Sequence, residues 1–120
     1  IAHPTDSRLL ETARVNLVEA AKEAGIDLKQ TFAKEGKELG RKAGRYAHAR
    51  QFKRMKRAIK RQRTIVGRLQ REIDRKASAI GAAVREALGD ILSKAARIAA
   101  QAAQRKAVDG QRKLYSWHAP

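Results

Sequence analysis

The sequence contains no cysteine. Disulfides and thiolate metal sites are therefore excluded, and the redox compartment is left open. Aromatic residues make up only 4% of the chain, and the two prolines lie at positions 4 and 120. A thin core of Ala, Leu and Ile is expected, and nothing between the prolines forbids very long helices. No apolar run approaches the roughly 20 residues of a membrane span. The first residues lack a secretory pattern, so a soluble protein is expected.

Convergent carboxylates are also lacking. The 12 acids are scattered, many beside Lys or Arg at helical spacing, as Glu19 is beside Lys22. General acid–base and metal-assisted chemistry both need several such groups in one place. No catalytic residue and no metal ligand is therefore assigned. His3, His48 and His118 have no partners at ligand spacing, and zinc needs three or four ligands. Gly36, Gly40 and Gly44 have neither the preceding strand nor the Gly-Lys-Ser/Thr ending of a phosphate loop. Each costs a helix about 1 kcal/mol against Ala, so a soft, kinkable helix is expected there. A close approach of another backbone or of nucleic acid is the alternative.

What is present is positive charge. The formal net charge is +16 in 120 residues, with a pI near 11.1. Such a balance favours nucleic acid or an anionic membrane surface as partner. Residues 41–71 hold 13 Lys and Arg and no acid, so they carry +13 of that +16. The same stretch is helical in pattern. Phe52, Met55, Ile59, Gln62, Val66, Leu69 and Ile73 step by threes and fours, a heptad seam that calls for a packing partner. On the opposite side lie Arg50, Arg57 and Arg71, flanked by Lys53, Arg54, Lys60, Arg61 and Arg68. Like charges at this spacing repel, and a polyanion would relieve them. These eight residues, with Arg41, Lys42 and Arg45 next, are the predicted contacts to DNA phosphates. Arg bridges phosphate oxygens bidentately and Lys acts as a point charge. Such contacts position a duplex without reading its sequence. Tyr46, His48 and Phe52 are in position to touch bases, but packing is the expected role of Tyr46 and Phe52.

The remaining pattern predicts an all-α chain of three helices with a short extended segment at each end. Helix 1 covers about 7–24, with Thr5, Asp6 and Ser7 as N-cap candidates and Gly25 as its stop. Helix 2 covers about 28–77 after an Asp27 cap, and helix 3 about 83–108. Helices 2 and 3 are expected to form a long basic antiparallel hairpin, with helix 1 against one end. The alternative is one helix over about 45–106, paired through the seam in a homodimeric coiled coil. The tail at 112–118 alternates like a strand and has no second strand to pair with. The chain opens on Ile1, and a segment of a longer protein is expected.

Three motifs in order, IAHPTDSRLL, GRYAHARQFKRMKRAIKR and KLYSWHAP, resemble DDE transposases of bacterial insertion sequences. The resemblance covers essentially the whole chain. It implies an RNase H-like enzyme that cuts and joins transposon ends with three metal-binding carboxylates and a divalent ion, Mg in particular. The first carboxylate would lie before Ile1 and the other two after Pro120. Asp6 matches the family's Pro-Thr-Asp segment, which is not catalytic. This chain would be the basic helical region between the first two core strands, nucleoid-associated in the bacterial cytoplasm and without the active site. Two other classes stand beside that reading: a coiled-coil interaction protein or a remnant without selected function, and a basic amphipathic helix on membranes. The membrane class is disfavoured by the shortage of Trp, Phe and Leu.

Overall fold

A computed structural model describes residues 4–103, and within them the chain is all α-helical. Five helices follow in order: α1 Pro4–Glu23, α2 Ala33–His48, α3 Phe52–Ile80, α4 Ala82–Ala87 and α5 Gly89–Ala103. The tail at 112–118, the end of the third predicted helix, His3 and His118 lie outside the described residues.

α1 opens on Pro4 itself, where the fixed φ suits a first turn and the missing N–H has no partner to lose. Thr5, Asp6 and Ser7, expected as caps, lie inside that first turn, and Asp6 and Ser7 are buried. One apolar stripe, Leu9, Leu10, Ala13, Leu17 and Ala21, is buried along its length. The helix ends as predicted at Gly25, whose φ is +75°. Gly25 N–H donates to Lys22 O at 3.1 Å and Ile26 N–H to Ala21 O at 2.8 Å, the paired bonds of a Schellman stop.

α2 starts five residues later than expected. Asp27 does not cap it. Lys76 Nζ of α3 instead donates to the Asp27 carbonyl, and the Lys29 N–H donates to Glu72 Oε2 at 3.0 Å. These tertiary bonds hold the loop after α1 against the far half of α3. The predicted helix over 28–77 is in fact two helices. It breaks at residues 49–51, where Arg50 takes a left-handed φ of 58°.

The seam on α3 is real, with one exception. Met55, Ile59, Gln62, Val66, Leu69 and Ile73 are all buried, joined by Ala58, Ile65 and Ala77 on a widened face. Phe52 is 53% exposed. The face is wide because α3 has three long neighbours, α1, α2 and α5. Ser7 O meets Gln62 Nε2 near one end, and the loop at 27–29 meets Glu72 and Lys76 near the other, so α1 runs parallel to α3. α2 returns antiparallel to both: Glu35 faces Arg61, and Leu39 lies near Ala58. α5 covers the other side of the α1–α3 pair through Leu92, Ala95, Ile98 and Ala102. α1 therefore lies along α3 and not against one end of a hairpin.

Candidate nucleic-acid interface

The basic stretch is folded back on itself at the α2–α3 corner. That corner is a second Schellman stop. Arg50 N–H donates to Ala47 O at 3.1 Å, and Gln51 N–H donates to Tyr46 O at 2.7 Å. The same motif ends α1 with glycine, the residue with no Cβ penalty at left-handed φ. Here the position holds an arginine, whose side chain is exposed.

Folding back brings two rows of cations together. Lys42 on α2 and Arg54 and Arg57 on α3 line one open groove of about 450 Å3, with Leu39, Tyr46 and Ala58. No acid lines it. Tyr46, for which the sequence favours packing over base contact, is half-buried in this wall. Arg54 Nη1 is steered by Gln51 Oε1 at 3.3 Å. Beyond the groove, Lys53, Lys56, Arg57, Lys60, Arg68, Arg71 and Arg75 form an exposed stripe at helical spacing, interrupted only by Thr64. From 53 to 75 that stripe runs roughly 33 Å along the axis at 1.5 Å per residue. Lys56 and Arg75 were not among the predicted contacts. Their exposure follows from which side of α3 is covered, and spacing alone does not reveal that.

Two predicted contacts are compensated instead. Arg61 Nε donates to Glu35 Oε2 at 2.6 Å and its Nη2 to Oε1 at 3.1 Å. Those bonds hold the Glu35 carboxyl below the usual carboxylate range, over an opposing effect of desolvation, and raise the Arg61 guanidinium. Glu35 is thus ionised at neutral pH and cancels Arg61. Arg41 sits 3.4 Å from Glu38 in an exposed pair, and such pairs are worth little. Arg45, Arg50, Lys53, Arg54, Arg57, Lys60, Arg68 and Arg71 are exposed, with no ion pair among the described residues.

No family model matches the chain, and no solved structure matches it. One relative does. Over 52 residues the chain is 54% identical to "Uncharacterized protein ORF8 in nfe locus" of Rhizobium meliloti, a match covering 43% of this chain and 25% of that protein. The chain thus aligns with about a quarter of the relative's length.

Two acids on the far half of α3, Glu72 and Asp74, serve the fold. Desolvation tends to raise the Glu72 carboxyl, but hydrogen bonds from Lys76 Nζ and Lys29 N–H, with the Lys76 and Arg75 charges, bring it below its ordinary value. Asp74 pairs with Arg85 of α4. Among the described residues no group of three or more His, Asp or Glu is placed to hold a metal ion. The donor set of a metal-dependent nuclease is not assembled in them. Nor is any helix among them long and apolar enough to cross a membrane.

The glycines of α2 have separate surroundings. A Cβ on Gly36 would fall 2.6 Å from both Arg14 Cδ and Glu11 Oε1. Arg14 is buried there, doubly bonded to Glu11 at 2.7 Å and donating to Thr31 O at 3.1 Å. Gly36 is therefore a close-approach site, but toward α1. Gly44 has nothing within 4 Å.

Proposed function

We propose that this chain is a DNA-binding helical segment of an insertion-sequence transposase, gripping the phosphate backbone through the α2–α3 groove and the outer face of α3. The observation that carries the reading is the density of uncompensated cations there. Eight predicted contact residues are exposed without an ion pair among the described residues, and Lys42, Arg54 and Arg57 converge on one acid-free groove. A solvated charged face normally interleaves its signs, and this one does not. The resemblance of the three sequence motifs supplies the transposase half of the reading. In a longer transposase the segment would hold DNA beside a catalytic core supplied by other residues of that protein. The coiled-coil reading loses its surface, because six of the seven seam residues are already buried within one chain.

The test is fluorescence anisotropy of a labelled duplex at several salt concentrations. Six to ten neutralised phosphates lose roughly 10³–10⁵ in affinity between 50 and 200 mM salt. Replacing Lys42, Arg54 and Arg57 with Gln should weaken binding to unrelated duplexes equally and lower the salt slope by about 3, near one unit per phosphate. Replacing Arg41 and Arg61 should change the slope far less, since acids already face them. Weak binding that the groove variant matches would leave the stripe as solvated charge.

A further inference from the structure

Phe52 is the one member of the α3 seam that the fold leaves outside. Its six companions in the stripe are at most 3% exposed, and it is 53% exposed. It is the first residue of α3, at the apex of the corner. Its next apolar companion on that face, Met55, is fully buried, so no broad apolar patch surrounds the ring. Arg50, Lys53 and Lys56, two residues before it and one and four after it, are all exposed.

The backbone that carries the ring is also held in place. The Gln51 N–H bond to Tyr46 O and the Met55 N–H bond to Gln51 O at 3.1 Å fix both sides of the turn. Arg50 accepts a left-handed backbone at this point, and non-glycine residues in that region concentrate at functional positions. An exposed aromatic face on a bonded turn, with cations next to it in sequence, matches a nucleotide, which offers a π-face and a phosphate together. A continuous duplex offers the phosphate but keeps its base faces stacked inside.

We propose that Phe52 stacks on an unpaired nucleotide, so that the chain prefers a duplex carrying a single-stranded overhang to a blunt one. This rests on the phosphate-gripping reading, with the duplex along α3 and the unpaired base at its first turn. The test measures affinity for a blunt duplex and for the same duplex with a short overhang containing 2-aminopurine. It compares the chain with Phe52→Ala, Phe52→Leu and Phe52→Trp. Because the ring lies outside the core, all three should keep the helical circular dichroism of the parent. The overhang should bind about 5- to 150-fold tighter, the size of one aromatic–base stack, and quench 2-aminopurine. Ala and Leu should abolish that preference without changing blunt-duplex affinity, and Trp should keep it. Equal affinity for both duplexes overturns the stack and leaves the phosphate grip standing. A preference that survives Ala or Leu also overturns it. Failure to bind the blunt duplex at all overturns both readings.

Discussion

Arg50 concentrates the tension between stability and binding in a single residue. The chain builds the same helix stop twice, with Gly25 at φ +75° after α1 and Arg50 at φ 58° after α2. A left-handed backbone costs an L-residue roughly 1–2 kcal/mol that glycine avoids. Arg50→Gly should therefore stabilise the chain by about 1 kcal/mol, a rise of roughly 4–8 °C in Tm for a domain of this size. The same change should weaken duplex binding several-fold and lower the salt slope by about 1. Arg50→Gln separates the two effects: it removes the charge and keeps the strain, so only binding should fall. Thermal melts beside anisotropy check this. An Arg50→Gly chain that melts no higher would show that the arginine side chain repays its own backbone cost.

α2 is the element on which the groove depends, and of the four longer helices it buries the fewest residues. Its fully buried residues are only Gly36 and Ala43, whereas α1 and α3 bury whole stripes of Leu, Ile and Val. Its glycines should respond in opposite directions. Gly44→Ala should stabilise by about 0.5–1 kcal/mol, because the added methyl meets open space and the helix gains propensity. Gly36→Ala should destabilise by about 1–3 kcal/mol, the usual cost of overpacking, because the methyl must displace the buried Arg14–Glu11 pair. Urea unfolding of the two variants decides it; equal shifts would mean that Arg14 moves aside freely. Sequence spacing places all three glycines on one face of α2 and says nothing of which neighbour each one meets. The same limit explains what else was legible. The seam from Met55 to Ile73 and the stop at Gly25 are local patterns, and both are where the sequence puts them. The break after α2 carries no Gly or Pro, so a bonded turn through Arg50 is invisible to breaker rules. The late start of α2 depends on Glu72 and Lys76, more than forty residues away. The groove follows from that break: a continuous helix over 28–77 would have strung Lys42 and Arg57 along one axis instead of facing them across a corner.

For the whole molecule, the same charge that suits a polyanion opposes folding. A net +16 is spread over 120 residues, and the α3 stripe sets like charges at i+3 and i+4, where they destabilise a helix. Burial of the other face against α1, α2 and α5 offsets that repulsion. Salt should therefore act in opposite senses on the two states. In the free chain, screening relieves repulsion, and Tm should rise between 50 and 500 mM NaCl. In the complex, salt ions compete for the phosphates and affinity falls. A short duplex at 100 times its Kd adds about 2.7 kcal/mol to the folded state, so at low salt the DNA-bound chain should melt well above the free one. The two melting curves should converge as salt rises, the free chain climbing and the complex descending. Scanning calorimetry with and without duplex across that range tests both halves together. A free chain whose Tm falls with salt would mean that the pairs Arg61–Glu35 and Arg85–Asp74 outweigh the stripe's repulsion, and the fold would then need no polyanion to relieve it.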